Sequence, residues 1–565
     1  MRHELARPHR TPKPEPRRRW IGRLSLTGLY FGGLWCASTF TPSLVPRDWL
    51  FQGLLSGVVL AVGYGFGAAL AALWEFLELP VIPQRYRRPL YWVLIAVTVA
   101  RLGWYFMQTR DWQVPARELL EMPQVDHEYY LRIIAIMLIV AGLLLLIGRL
   151  LVLGVGWAAR LPKRVSQRRI ASVLGIAVFA VLLVLVVNGT LVRGVIMVID
   201  NTLAAADTRD PEGAVPPTTA NFSGSPDSLV PWDLLGYSGK LYMTEGHVAE
   251  EISDFTGRAA LDPIRLYVGL RAGDDHEERA ALALEELKRS GAFDRKILVI
   301  ATPTGTGWID DNGITPLEFM HDGDTAVVAV QYSYLSSPLS LILQPGLVQE
   351  SATVVFREIY DHWASLPEDD RPELYLFGLS LGSLGSEGSI TLQSLVKDRI
   401  SGALWVGPPF RNPVWRSIRA NRDPDSPDWQ PVFEDGTVFR TLTRSNSLDD
   451  AGPDWGPVRI AYLAYPTDAI VFFQESMWYR RPDWLDEPRG PDVSPEFEWT
   501  PVVTMWQVAV DMLGAFNTPA GHGHNYRMVD YGTGWMGVTQ PEDWTAEDNA
   551  RLADLMNDAR PKGGN

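Results

Sequence analysis

Cysteine is almost missing: Cys36 is the only one in 565 residues. That excludes a disulfide framework and any multi-cysteine zinc or iron–sulfur site. Basic charge is in deficit, with 51 Lys and Arg against 66 Asp and Glu and a net charge of −15, which speaks against a general nucleic-acid binder. No G-x-x-x-x-G-K-[ST] phosphate loop is present, and no second repeat supports a transporter pore. No metal set and no cofactor is expected. Hydrophobic residues at 47% and charged residues at 21% exclude wholesale disorder, and the chain is too long for one compact domain.

The charge deficit is uneven. Residues 1–200 hold 23 Lys and Arg against 11 Asp and Glu, which leaves 28 against 55 in residues 201–565. The first part also carries five long apolar stretches, near 24–45, 49–74, 89–109, 131–153 and 170–192, each long enough to cross a bilayer as a helix of about 20 residues. Trp49–Trp74 and Ile170–Val192 contain no charged residue, so neither has the polar stripe of a soluble helix. Basic residues crowd the N-terminus, the connection at Arg85, Arg87 and Arg88, and the connection from Arg160 to Arg169. The connection from Arg110 to Glu128 is acidic on balance. This alternation predicts a cytoplasmic N-terminus, five spans and an extracytoplasmic C-terminal part in the cell membrane. Arg101 interrupts the third span and is expected to snorkel towards the interface. Gly28/Gly32, Gly53/Gly57 and Gly63/Gly67 are small-xxx-small spacings that suit close helix packing.

Residues 201–235 read as a linker rich in Pro, Thr and Ser. From 236 to 565, near-continuous apolar runs alternate with amphipathic ones. Strands are predicted at Ile264–Gly269, Ile297–Thr302, Thr325–Tyr332, Leu374–Phe377, Gly402–Val406 and Val458–Ala464. Helices are predicted at His276–Arg289, Val348–Ser365 and Leu384–Val396. The alternation implies an α/β fold, a mostly parallel sheet covered on both faces, preceded by an all-α transmembrane domain over 1–200. A Pro- and aromatic-rich insertion at about 408–457 reads as a cap or a structural flap.

Gly378-Leu379-Ser380-Leu381-Gly382 fits G-x-S-x-G where a strand gives way to a helix. Such a turn lifts a serine hydroxyl off the sheet edge, and the flanking glycines let the chain fold back. In this arrangement an acid and then a histidine follow the serine in sequence. Only His522 and His524 follow Ser380. The Gly521-His522-Gly523 setting favours His522 over His524 as the base. Two histidines at i, i+2 without a third ligand make a poor zinc site. Asp468, just past the strand Val458–Ala464, is the expected acid, although it also suits the cap of the next helix. Asp449, Asp450 and Asp454 are rivals in the loop before that strand. An oxyanion hole would draw one N–H from Leu381 and another from the loop Thr302–Trp308, with Thr304 and Gly305 as candidates.

At these residues the chain resembles bacterial membrane-anchored α/β-hydrolases with a multi-span N-terminal extension. The likeness runs over nearly the whole chain. It is carried by LYLFGLSLGS at 374–383, TPTGTGW at 302–308, and the WTPVVTMWQVAVDML and PAGHGHNY stretches at 499–513 and 519–526. It implies a serine-hydrolase core displayed on the membrane and names no substrate. The expectation is an esterase- or lipase-like enzyme that meets the lipid bilayer and a small-molecule or lipid acyl ester, with no nucleic acid. An acyltransferase would use the same triad, and a binding or assembly module could keep the fold without the chemistry.

Overall fold

The computed structural model describes residues 24–80, 83–124, 129–158, 202–344, 346–452 and 454–559. The expected fifth span, the N-terminal basic segment and the connection from Arg160 to Arg169 lie outside the described residues. The chain divides into two compact units. The first takes in Met1–Phe40, Gln52–Thr109 and Glu128–Leu151; the second takes in Thr41–Phe51, Arg110–His127 and Val152–Asn565.

The first unit is helical. Its helices are α1 (Leu26–Ser38), α2 (Trp49–Phe76), α3 (Gln84–Leu119) and α4 (Tyr130–Ala158). Among the described residues three helices are long and apolar enough to span a membrane: Trp49–Phe76, Arg88–Leu119 and Tyr130–Gly154. The expected span at 24–45 is helical only over the 13 residues of α1, a rise of about 20 Å against a hydrocarbon core of about 30 Å. The helix stops four residues short of Pro42, which has no N–H to donate back to the Ser38 carbonyl and cannot continue it. The glycine spacings are packing seams. A Cβ on Gly63 would stand 2.7 Å from the Phe31 carbonyl oxygen, and one on Gly57 would stand 2.8 Å from that of Met137. Arg101 donates to the Tyr105 hydroxyl at 2.9 Å and lies over its ring.

The second unit is built on a seven-stranded sheet of order β1-β3-β2-β4-β5-β7-β6. The strands are β1 (Ile264–Val268), β2 (Ile297–Thr302), β3 (Thr325–Val330), β4 (Glu373–Leu379), β5 (Gly402–Val406), β6 (Phe439–Leu442) and β7 (Arg459–Leu463). Every pairing is parallel. β1, β2 and β3 are buried along their whole length, as mostly apolar strands are in a sheet covered on both faces; the charged exception, Arg265 in β1, is buried and paired with Glu318 at 2.7 Å. The main helices are α5 (His276–Ser290), α6 (Asp311–Met320), α7 (Leu347–Ser365), α8 (Leu381–Ser389), α9 (Pro413–Ala420), α10 (Val503–Gly514), α11 (Met528–Thr539) and α12 (Ala546–Ala559). α5, α7 and α8 pack in succession, and α6, α11 and α12 form a second group. α5 shows how sequence sets the ends: the Asp275 carboxylate accepts from the Glu278 N–H, and Gly291 closes the helix in left-handed conformation.

Two boundaries differ from expectation. The stretch expected as a linker, 201–235, folds in part along the edge of the sheet. Ser223 N–H donates to the Arg265 carbonyl at 3.0 Å, Arg265 N–H donates to Asn221 at 3.1 Å, and Val230 and Leu235 are buried. Their apolar side chains gain more from burial than a solvated linker would allow. The insertion at 408–457 is not wholly a cap, because Phe439–Leu442 forms edge strand β6 against β7. Arg440 hid this strand from a search for apolar runs. Its guanidinium is buried and donates to the carbonyls of Gly436, Leu448 and Gly452.

Strand order fixes where a site can form. The chain leaves β2 towards β3 on one side and leaves β4 towards β5 on the other. The carboxyl ends of β2 and β4, paired through Thr302 and Gly378, therefore open a crevice at a topological switch point.

Candidate active site

Ser380 stands on the turn at the end of β4. Its backbone is strained, with φ 56° and ψ −126°, a conformation that costs a non-glycine residue about 1–3 kcal/mol and clusters at functional sites. The glycines two residues away are forced by contact. A Cβ on Gly378 would lie 2.5 Å from the Gly382 backbone, and one on Gly382 would lie 2.1 Å from the Thr302 carbonyl oxygen. The turn is held by the Ser380 N–H, which donates to the Val406 carbonyl at 2.9 Å. The Ser380 carbonyl accepts from the Ser383 hydroxyl at 2.7 Å. Among the described residues the Ser380 hydroxyl has no hydrogen-bond partner.

Beneath the turn lies Glu387 on α8. It accepts from Val414 N–H at 2.7 Å, the Tyr462 hydroxyl at 2.9 Å and the Asn412 amide at 3.0 Å. Burial pushes its carboxyl above the usual range, and these donors oppose the shift. Glu387 ties the loop after β5 to the helix that begins at the serine.

Asp468 follows β7 and is fully buried. It serves both roles open to it in the sequence. One carboxylate oxygen caps the short helix Ala469–Phe472 by accepting from Ile470 N–H at 2.9 Å. The other accepts from His524 Nδ1 at 2.6 Å and from the Tyr526 hydroxyl at 2.6 Å. A carboxylate only accepts, so Nδ1 of His524 carries a proton, and in the neutral imidazole Nε2 is the acceptor. That Nε2 is buried and has no hydrogen-bond partner among the described residues. Phe516 meets the ring edge-on at 4.9 Å between centroids. Gly407, at the end of β5, packs against the ring so closely that a Cβ there would lie 2.4 Å from His524 Cε1. Gly407 follows Val406, whose carbonyl holds the Ser380 N–H, so the serine and this imidazole flank one segment of backbone.

His522 points elsewhere. Its Nδ1 lies 3.1 Å from Asp492 Oδ2, and its Nε2 meets the Arg444 guanidinium, which also reaches Glu121. Both ring nitrogens are occupied. The glycines beside His522 fold a tight turn rather than extend its reach. Gly521 and Gly523 have φ 97° and 56°, Gly521 N–H donates to the Asn525 carbonyl at 2.8 Å, and Asn525 N–H returns to the His522 carbonyl at 3.1 Å. The structure thus joins Asp468 to His524 and not to the histidine that the sequence favours. Thr467 links the two acid–histidine pairs: its hydroxyl donates to Asp492 at 3.0 Å and accepts from Gly523 N–H at 3.1 Å. Asp492, Arg444 and Glu121 carried no signal in the sequence, being isolated charged residues in three separate loops.

Leu381 opens α8, so its N–H has no intrahelical acceptor and faces the crevice end of the helix. The other expected donors are engaged. Thr304 N–H donates to the Trp308 carbonyl at 3.0 Å, and Gly305 N–H donates to the Ser337 hydroxyl at 3.3 Å. The loop closes on itself through Trp308, which removes Thr304 from the role, whereas Gly305 is tied only to a side chain. Among the described residues no group of three or more His, Cys, Asp or Glu is placed to hold a metal ion.

A parallel α/β sheet with a strained serine turn after a central strand defines a hydrolase-type fold. The chain belongs to the alpha/beta-hydrolase family: that family matches residues 264–552, and the alpha/beta-hydrolase family N-terminus matches residues 40–246. No curated protein and no solved structure matches the chain.

Proposed function

We propose that the protein is a membrane-embedded serine hydrolase acting on esters. Ser380 is the nucleophile, His524 the general base and Asp468 the acid that orients it. The observation that carries this reading is the Asp468–His524 pair, whose free Nε2 is buried beside Gly407. No hydrogen bond joins Ser380 to either histidine; the contact between nucleophile and base often tightens only around a substrate. In the reaction Nε2 takes the Ser380 proton as the oxygen attacks the ester carbonyl. The imidazolium that forms is stabilised by Asp468 and then protonates the leaving alcohol. Water repeats the sequence on the acyl-enzyme. Leu381 N–H supplies one donor to the oxyanion, and Gly305 supplies the second by releasing Ser337.

The same reading places the enzyme in the cell membrane with the hydrolase unit outside the cytoplasm. The basic connections lie on one side by the charge rule. The non-basic connections at 41–51 and 110–127 belong to the compact unit that holds the hydrolase sheet, which supports one shared side for all three. A short-chain p-nitrophenyl ester tests the chemistry. The purified full chain in detergent should hydrolyse it, and Ser380→Ala should abolish the activity; hydrolysis that survives Ser380→Ala would refute it. A reporter fused after residue 200 should be active only outside the cytoplasm.

A further inference from the structure

Acids outnumber bases about two to one in residues 201–565, yet one cavity there gathers arginines. It has a volume of about 820 Å³ and is lined by Arg411, Arg416, Arg419 and Arg422 together with the aromatic side chains of Phe410, Phe473, Trp478 and Tyr479. Its acidic residues do not cancel this charge. Asp428 is buried between two guanidiniums, accepting from Arg419 at 3.1 Å and from Arg422 at 3.5 Å. Asp483 faces Arg480 at 3.4 Å. Glu475, mostly exposed, stands 4.0 Å from Arg411, at the outer limit of an ion pair. Arg416 has no side-chain partner among the described residues.

The cavity reaches the helix that begins at the serine turn, although Ser380, Asp468 and His524 are not among its lining residues. Leu384, one turn along α8 from Ser380, is part of its wall. Phe410 lies three residues past Gly407, its N–H donates to the Ile470 carbonyl at 3.0 Å, and Ile470 is two residues from Asp468. Phe410 and Phe473 meet edge to face at 4.8 Å between centroids. The segments that carry the site therefore also form the inner wall of the cavity, with two cations farther out: Arg416, and Arg411, whose guanidinium donates to the Leu341 carbonyl at 3.3 Å. Guanidiniums bind carboxylate and phosphate oxygens through paired, charge-assisted hydrogen bonds.

We propose that this cavity is the substrate pocket, and that the ester cleaved at Ser380 carries an oxyanion, a phosphate or carboxylate group, held by Arg411 and Arg416. The proposal rests on the serine-hydrolase reading for its chemistry but not for its binding. Trp478 and Tyr479 are 54% and 61% exposed and offer faces for the apolar part of the same molecule.

Two measurements on the full chain in detergent test it. The first compares p-nitrophenyl hemiglutarate, which is anionic, with the neutral p-nitrophenyl valerate. In Arg411→Ala/Arg416→Ala the ratio of kcat/KM for the anionic ester to that for the neutral ester should fall about tenfold, and Arg411→Lys/Arg416→Lys should restore most of it. An unchanged ratio overturns the proposal. The second measurement does not need turnover. Calorimetric titration of the Ser380→Ala protein with dihexanoyl phosphatidic acid and with inorganic phosphate should give saturable heat, lost when both arginines become Ala. Binding of both ligands means that the phosphate group suffices, and binding of the lipid alone assigns a lipid headgroup. Heat from neither, or heat that survives the arginine changes, overturns the proposal. Saturable binding in a chain that hydrolyses no ester would remove the hydrolase reading and leave the pocket standing.

Discussion

Gly407→Ala tests the placement of His524 without touching an ionisable group. The new Cβ would lie 2.4 Å from His524 Cε1 and 2.9 Å from Nδ1, at least about 1 Å inside ordinary carbon contact. The imidazole is held by Asp468 and backed by Phe516, so relief moves the ring or the end of β5, which holds Ser380 through Val406. A misplacement of about 1 Å costs roughly 100-fold in rate. The substitution also places alanine at φ 52°, which costs about 1–2 kcal/mol in any setting. Gly257→Ala separates the two effects, because Gly257 has φ 71° and nothing within 4 Å of a new Cβ. Gly257→Ala should lose the thermal stability that the φ cost alone carries, and Gly407→Ala at least as much. Only Gly407→Ala should lose hydrolysis of a p-nitrophenyl ester, by about two orders of magnitude in kcat/KM. A folded Gly407→Ala protein within threefold of wild type would refute the placement of His524 beside the serine.

Other perturbations read separate parts of the structure. His524→Ala should lower the hydrolysis rate by about 1,000-fold or more, whereas His522→Ala, which leaves the Asp468–His524 pair in place, should retain measurable turnover; the reverse ranking would make His522 the base. His321 is buried, its Nε2 is 2.8 Å from the Thr539 hydroxyl, and burial, helped by Lys296, pushes its pKa down to about 3. Because its folded pKa is depressed below the unfolded value, its neutral form stabilises the fold above about pH 6.5. That contribution should be lost as pH falls towards 3, by up to about 1.4 kcal/mol per pH unit. Melting temperatures from pH 7 to 5 should therefore fall more steeply for wild type than for His321→Gln, and parallel slopes would contradict this. Asp511, fully buried, accepts from Arg47 at 3.0 Å and from Leu44 N–H at 3.1 Å. Asp511→Ala should cost about 3–5 kcal/mol by stranding a buried cation, and Arg47→Met/Asp511→Leu should recover most of it, as read by thermal unfolding.

The parallel sheet was legible because most of its strands are predominantly apolar, and the serine turn because two close backbone contacts leave room only for Gly378 and Gly382. Asp468 was legible from its place just past a buried strand. β6 was not: four residues with an arginine among them do not announce an edge strand. The choice between His522 and His524 turned on an argument about glycine flexibility that the structure reverses, since those glycines tighten the turn. What pairs Asp468 with His524 is the Tyr526–Asp468–His524 cluster, in which the histidine and the tyrosine lie 56 and 58 positions beyond the aspartate. No local spacing encodes such a meeting. The hydrogen bonds of Thr304 and Gly305 were equally hidden, because the folding of the loop decides whether each N–H meets the main chain or a side chain.

Fluorophosphonate labelling of the full chain, followed by peptide mapping of the adduct, tests the central claim most directly. The account predicts a phosphonylated Ser380 in the wild-type protein and little or none in His524→Ala. An adduct on another residue, or equal labelling of Ser380 without His524, would contradict it.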